Sequence, residues 1–280
     1  MSAVITEQSI AGLNCGVGLA SGDPLLMFHG VVRRWQTYLP LWPVLSQRWQ
    51  VIVPDQRGHG RSPRTLSYLV TDYIDDAVAL LEAIGKPTVL YGHSLGAMVA
   101  FGAATRRPNL VRAVIAEDPP FSTMGEAIGE TQYLDYFRSL QPLAGQALPL
   151  EAIAARLGQL QIRHGSATRM LRDIRDEVSL RFTASALTRL DPAVLHPIVG
   201  GRWLDGYRWP DMLSGVKCPS LVFQADLDIG GMLRGHDVEF LQQYLQEKLL
   251  LVPIKGCGHV MHWPHATSVA QHASIFLETL

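Results

Sequence analysis

The stretch from Val89 to Ala100 constrains this chain more than any other. It holds the apolar run Val89-Leu90-Tyr91, the turn Gly92-His93-Ser94-Leu95-Gly96, and an alanine-rich run from Ala97. It reads as a strand, a sharp turn and a helix. The glycines follow from geometry, because a turn this tight strains its central residue and leaves no room for side chains two positions either side. Ser94 would project its hydroxyl above the sheet edge, and the helix aims its first amides at the same point, the N–H of Leu95 among them. One turn thus offers a nucleophile and half an oxyanion hole. In a chain with 25 glycines the pattern alone is weak, so its surroundings must support it.

The surroundings alternate strand with helix. The turn Ser21-Gly22-Asp23-Pro24 separates a loosely alternating segment, Ile10 to Ala20, from the strand Leu25 to Phe28, which predicts an opening antiparallel hairpin. Trp49 to Pro54 and Thr88 to Tyr91 are apolar enough to be covered on both faces. Between them, Thr71 offers a cap for a helix carrying Ile74, Val78 and Leu81 on one face, with Gly85 closing it. Strands at Ala113–Ala116, Leu221–Gln224 and Leu249–Pro253 then alternate with helices at Ala97–Thr105, Val238–Gln246 and Ser268–Leu277. Such alternation implies parallel crossovers in an α/β sheet, with ligands bound beyond the strands' carboxyl ends.

From about Pro119 to Pro210 the rhythm breaks into a helical pattern with no convincing strand, which predicts an insertion. Residues 1–118 and 211–280 then form the core, and residues 119–210 a helical cap. Six aromatics of the insertion, Tyr133, Tyr136, Phe137, Trp203, Tyr207 and Trp209, divide between lining a pocket and holding the cap to its base. Its arginines and histidines are nearly balanced by acids such as Glu126, Asp173, Asp176, Glu177 and Asp205, so composition gives no anionic substrate.

With 280 residues, 48% apolar and 18% charged, the chain has material for one core plus a satellite. A net charge of −1 gives no electrostatic reason to bind nucleic acid or an anionic membrane. Met1 to Glu7 lacks a basic and apolar leader pattern, and no stretch approaches a membrane span. The expectation is a cytoplasmic protein with a small-molecule partner, and a homo-oligomer is compatible with this surface. Cys15, Cys218 and Cys257 are odd in number and widely spaced, which suits reduced thiols rather than a disulfide framework or zinc site.

A serine hydroxyl is a poor nucleophile, so it needs a neutral imidazole to take its proton and a carboxylate to fix that imidazole's tautomer. His259, in Lys255-Gly256-Cys257-Gly258-His259 after the last strand, is the expected base. His262 and His265 follow at spacings of three, but Pro264 interrupts the helix that a metal pair would need, so no metal is expected. Three strand-end aspartates compete for the acid: Asp228, Asp226 and Asp118.

These motifs together resemble the α/β-hydrolase superfamily, in the serine-nucleophile branch with a helical cap. The resemblance rests on His29-Gly30, the Asp55 to Ser62 segment, the Ser94 elbow and Gly256-Cys257-Gly258-His259, and it spans nearly everything outside the cap. It implies a mostly parallel eight-stranded sheet flanked by helices, with the cap inserted between strands 6 and 7. It further implies Ser94 as nucleophile, His259 as base, and the N–H groups of Val31 and Leu95 as the oxyanion hole. The usual acid loop reads Gly, two residues, Asp; here Ala225 takes the Gly position and Asp228 the Asp position, which favours Asp228 over Asp226 and then Asp118. The Asp55 to Ser62 segment is read as structural, with Asp55 and Arg57 satisfying buried backbone groups, and His93 as a packed elbow residue.

The expected activity is hydrolysis of a small carboxylic ester or lactone through an acyl-enzyme on Ser94, with no cofactor. Hydrolysis of a carbon–carbon bond in a vinylogous diketone and cofactor-free perhydrolysis would use the same residues. A non-catalytic small-ligand receptor is the alternative of another class.

Overall fold

The computed structural model describes residues 5–280 apart from 20–21, 126 and 165–166. Eight strands form the main sheet: β1 (Thr6–Ile10), β2 (Leu13–Val17), β3 (Asp23–Phe28), β4 (Trp49–Pro54), β5 (Thr88–His93), β6 (Val111–Glu117), and, after an insertion holding β7 (Gln161–His164) and β8 (Ala167–Met170), β9 (Ser220–Ala225) and β10 (Leu249–Ile254). Their order across the sheet is β1-β2-β4-β3-β5-β6-β9-β10. The pairs β1/β2 and β2/β4 are antiparallel, and every pair from β4 onward across the sheet is parallel.

The central strands are apolar on both sides because both faces are covered. Leu25, Met27, Val51, Val53, Val89 and Tyr91 belong to the cluster packed under α1 (Trp42–Leu45) and α10 (Ala266–Leu277). The alternate residues Leu26, Phe28, Ile52 and Leu90 belong to the cluster that includes α2 (Val70–Ile84) and α3 (Leu95–Arg106). Helix α2 ends where its sequence says it should, on Gly85 at φ 66°. Its start differs from expectation: Thr71 lies inside the helix, and Asp72 accepts from the backbone N–H of Leu69 at 2.7 Å, so the acid reaching back supplies the cap.

Two further local readings are corrected. The opening hairpin joins β1 to β2 through Ala11 and Gly12, both at positive φ, which suits a two-residue loop. The strand Leu25–Phe28 instead enters the parallel part of the sheet; of the turn proposed before it, Ser21 lies outside the described residues. The segment between β6 and β9 carries α4 (Gln132–Leu140), α5 (Leu150–Gly158), α6 (Glu177–Leu187), α7 (Leu195–Val199) and α8 (Trp209–Ser214), but also the antiparallel ribbon β7/β8, where no strand was expected. That ribbon is four residues a side, too short to leave a readable alternation. Helix α9 (Gly235–Leu245) follows β9.

The inserted segment is fastened over the carboxyl ends of the strands. Asp191 donates its N–H to the Gly58 carbonyl at 2.8 Å and accepts from the Tyr68 hydroxyl at 2.7 Å, and the Trp203 carbonyl accepts from Val70 at 3.1 Å. On the other side the Tyr133 hydroxyl donates to the Gly230 carbonyl at 2.6 Å. Among the described residues, no helix is long and apolar enough to cross a membrane.

Candidate active site

Ser94 stands between β5 and α3 at φ 55° and ψ −118°, a region that L side chains rarely adopt. The surrounding packing enforces it. A Cβ on Gly92 would lie 2.1 Å from the Gly96 carbonyl oxygen, and one on Gly96 would lie 1.9 Å from that of Phe28. The N–H of Ser94 donates to the Glu117 carbonyl at 3.0 Å, which pins the turn to the end of β6. The hydroxyl opens into a cavity of about 490 Å³ lined also by Gly30, Val31, His93, Tyr133 and His259.

Directly after β6 comes Asp118, itself at φ 45°. Its Oδ2 accepts from Nδ1–H of His259 at 2.7 Å, and the carboxylate is fully buried. A carboxylate can only accept, so the proton of a neutral His259 sits on Nδ1 and Nε2 keeps its lone pair, on a ring that lines the cavity with Ser94. Three backbone N–H groups complete the carboxylate's shell: Ala225 and Leu233 on Oδ1 at 3.2 and 3.1 Å, and Met232 on Oδ2 at 2.8 Å.

The carboxylate bonded to His259 is thus Asp118, and among the described residues neither aspartate of the loop after β9 bonds this ring. Asp228 is exposed in the short turn Leu227–Ile229. Asp226 caps that turn, accepting from Asp228 at 3.1 Å and from Gly256 at 3.3 Å. This loop contributes amides, not a carboxylate, and Asp118 receives them. The sequence signal was the strand-end pair Glu117-Asp118 before two prolines, which spacing measured from β9 does not register.

The approach to Ser94 from β3 is built from neutral imidazoles. Nδ1–H of His29 donates to the Gly30 carbonyl at 2.8 Å, and its Nε2 accepts from Gln56 at 3.1 Å. His59 likewise donates to the Arg57 carbonyl at 2.9 Å and accepts from Val32 at 3.3 Å. Burial depresses both, His29 to about 4 and His59 to about 3. The two fix the Gly30-Val31-Val32 segment beside Ser94; a Cβ on Gly30 would stand 3.2 Å from that of Ser94. Asp55 accepts from the amides of Trp35 and Arg61 at 2.9 Å each. Arg57 departs from expectation by pairing with Asp76 through two bonds of 2.6 Å.

A second carboxylate–histidine pair lies directly behind the first and was not foreseen. Nδ1–H of His262 donates to Glu117 at 2.8 Å, its Nε2 accepts from the Thr37 hydroxyl at 2.9 Å, and the Tyr91 hydroxyl donates to the other oxygen of Glu117. His93 separates the pairs, its ring centroid 4.7 Å from that of His259 and 4.9 Å from that of His262. Its Nε2–H donates to the His259 carbonyl at 2.9 Å, and burial pushes its pKa well down, so it stays neutral. The donor atoms of His93, Glu117 and His262 converge within 4.8 Å. Those of Glu117 and His262 are all engaged by protein partners, so this donor set does not fit a metal ion. His265 directly precedes α10 and lines the cavity.

Of the aromatics in the insertion, Tyr133, Tyr136, Phe137 and Trp203 line the cavity. Trp209 stacks on Phe121 with centroids 5.0 Å apart, and the Tyr207 hydroxyl donates to the Met98 carbonyl at 3.3 Å, so both serve packing. All three cysteines are free; Cys257 also lines the cavity, but burial pushes its thiol up to about 12.

A family model described as Alpha/beta hydrolase family matches residues 25–272. The 2-(acetamidomethylene)succinate hydrolase of Mesorhizobium japonicum (strain LMG 29417 / CECT 9101 / MAFF 303099) is 43% identical over 101 residues, 35% of this chain and 36% of that protein. The 2-hydroxymuconate semialdehyde hydrolase of Pseudomonas sp. (strain CF600) is 28% identical over 195 residues, 66% of this chain and 63% of that protein. The chain thus spans between about a third and two thirds of the length of these two relatives. Among solved structures, E-2-(acetamidomethylene)succinate hydrolase superposes with a TM-score of 0.70 at 20% identity, covering 98% of this chain and 100% of the other, which is a likeness of fold.

Proposed function

We propose that this chain, which belongs to the alpha/beta hydrolase family, is a serine hydrolase that cleaves a small carboxylic ester or lactone through an acyl-enzyme on Ser94. The observation that supports this best is the 2.7 Å bond from buried Asp118 to His259, a ring that lines the same cavity as the strained Ser94 elbow.

In this reading Nε2 of His259 takes the Ser94 proton as Oγ attacks the acyl carbon. Asp118 holds the imidazole in the required tautomer and stabilises the imidazolium that forms. The N–H groups of Leu95 and Val31 receive the oxyanion, Leu95 being the first residue of α3 with no carbonyl four residues back to bond. Collapse expels the alcohol, protonated by His259. The imidazole then activates a water that releases the acid and restores Ser94. Every step uses side chains and amides of this chain.

Intact mass after exposure to a small fluorophosphonate, comparing wild type with Ser94→Ala, tests the reading. One adduct on wild type and none on the variant is expected. No adduct on wild type overturns the mechanism in favour of a ligand receptor. An adduct accompanied by turnover of vinylogous diketones but not of esters and lactones would keep the nucleophile and replace the substrate class.

A further inference from the structure

The inference concerns what the acyl group carries, and it rests on the hydrolase reading of the same cavity. Two arginines from different segments line that cavity: Arg33, just beyond Val31 and Val32, and Arg175, in the turn before α6. Arg33 is buried, yet its recorded acceptors are neutral, the Val32 carbonyl at 3.2 Å and the Thr183 hydroxyl at 2.9 Å. Arg175 is half-buried, and its Nη1 atom is shielded from solvent without any hydrogen-bond partner. Among the described residues neither guanidinium lies within ion-pair distance of a carboxylate, whereas the surface arginines 48, 61, 106, 107 and 112 all do.

Burying a cation without a counter-charge is costly, and doing so twice in one cavity is costlier. The cost is felt at Arg33, whose pKa is pushed down to about 10, by burial first and by the charge of Arg175 second. Neither Asp176, which lines the cavity, nor Asp118, bonded to the lining residue His259, relieves it. Asp118 serves His259 and three amides, and Asp176 is exposed at the N-terminus of α6, accepting from Ser179 at 2.7 Å. Beside the hydroxyls of Thr183 and Ser179, the wall carries the large nonpolar surfaces of Tyr136, Phe137, Ile174 and Phe182. An arginine fork suits a carboxylate, which can accept two parallel bonds from it, and a desolvated apolar wall strengthens that bond.

We infer that the substrate bears a carboxylate that seats between Arg33 and Arg175 while its scissile acyl group lies over Ser94. Arg33 stands two residues from Val31, so carboxylate and acyl carbon must be close, as in a short dicarboxylic acid monoester. The balance in the composition of the insertion hid this: acids and arginines nearly cancel in number, but Asp173, Asp176, Glu177 and Asp205 are exposed while Arg175 lines the cavity.

The test compares two near-isosteric esters, monomethyl succinate and methyl 4-methylpentanoate, by the ratio of their kcat/KM values. Wild type should favour the carboxylate ester by about tenfold or more, and Arg175→Gln should lower that ratio by about tenfold to a hundredfold, chiefly through KM. Arg175→Lys should recover part of the ratio, and Arg181→Gln, altering a surface arginine on α6, should leave it unchanged. A wild-type ratio near one, or a ratio that survives Arg175→Gln, overturns the inference. Fluorophosphonate labelling of the same preparations separates the two readings. Labelled Ser94 with no carboxylate preference sinks the subsite alone. If neither labelling nor ester cleavage occurs, the hydrolase reading fails and calorimetry with succinate decides the subsite: binding to wild type that is lost in Arg175→Gln supports it, and no binding overturns it.

Discussion

Oδ2 of Asp118 and Nδ1 of His259 meet at 2.7 Å although 141 residues separate them in the chain. The contact joins the end of β6 to the loop after β10, two strands apart in the sheet, because the loop after β9 passes between them and donates the amides of Met232 and Leu233 to the same carboxylate.

Asp118→Asn should therefore cripple turnover where Asp228→Asn does not. An amide at position 118 presents an N–H to Nδ1, favours the wrong tautomer and removes the charge that balances the imidazolium. The expected loss in kcat is about 10³- to 10⁴-fold for Asp118→Asn, against a change within about twofold for the exposed Asp228→Asn. Ester hydrolysis rates, with circular dichroism to check folding, decide it; the reverse ranking would return the role to the loop after β9.

Acid should weaken the fold before the carboxylates titrate. His29, His59 and His93 are held neutral, with the first two pushed down to about 4 and about 3, whereas an unfolded histidine titrates near 6.5. Below pH 6.5 the unfolded chain binds protons that the native chain refuses. Stability is thus fully present above pH 6.5 and falls as pH drops toward 4, by up to about 1.4 kcal/mol per pH unit for each such histidine. Urea midpoints between pH 7.5 and 5 measure the slope. His59→Gln should flatten it, and a flat wild-type profile would contradict the burial argument.

Gly96→Ala should prevent the elbow from closing. Its Cβ would stand 1.9 Å from the Phe28 carbonyl oxygen, and backbone cannot rotate aside as a side-chain tip can. A destabilisation of about 3 kcal/mol or more is expected, read from thermal or urea unfolding. A variant of native stability would mean that β3 and α3 are free to separate.

The sheet was legible because its strands are continuous apolar runs punctuated by glycine, and the elbow because two glycines flank one serine. Gly92 is demanded by the carbonyl of Gly96 within the same strand–turn–helix unit, and Gly96 by the Phe28 carbonyl of the neighbouring strand β3, so two fixed positions around one serine show in local sequence. The acid was not so legible. Asp118, Asp226 and Asp228 are all strand-end aspartates, and what distinguishes them is which one receives amides from a loop more than a hundred residues away. The same holds for Arg175, whose lack of a partner depends on where α6 packs. The short ribbon β7/β8 escaped for a different reason, since four residues a side give too few alternations to distinguish it from a loop.

The pair Glu117 and His262 should behave as support for the site and not as part of it. Both side chains are completely buried and neither lines the cavity. Both oxygens of Glu117 and both nitrogens of His262 are in use, which ties β5, β6, the Thr37 turn and the segment before α10 into one network. A glutamine at position 117 offers one acceptor where two donors arrive, so either the Tyr91 hydroxyl turns round to accept from its NH₂ or Nδ1–H of His262 loses its acceptor, and the charge that strengthens both bonds is gone. Glu117→Gln should cost about 1–3 kcal/mol of stability. The proton acceptor at Ser94 is untouched by this change, because His259 keeps its bond to Asp118. Fluorophosphonate labelling of folded Glu117→Gln should thus stay within about threefold of wild type, while Asp118→Asn loses about a hundredfold or more. Comparable losses in the two variants would mean that Glu117 acts on His259 through His93, and the two carboxylate–histidine pairs would then have to be treated as one relay.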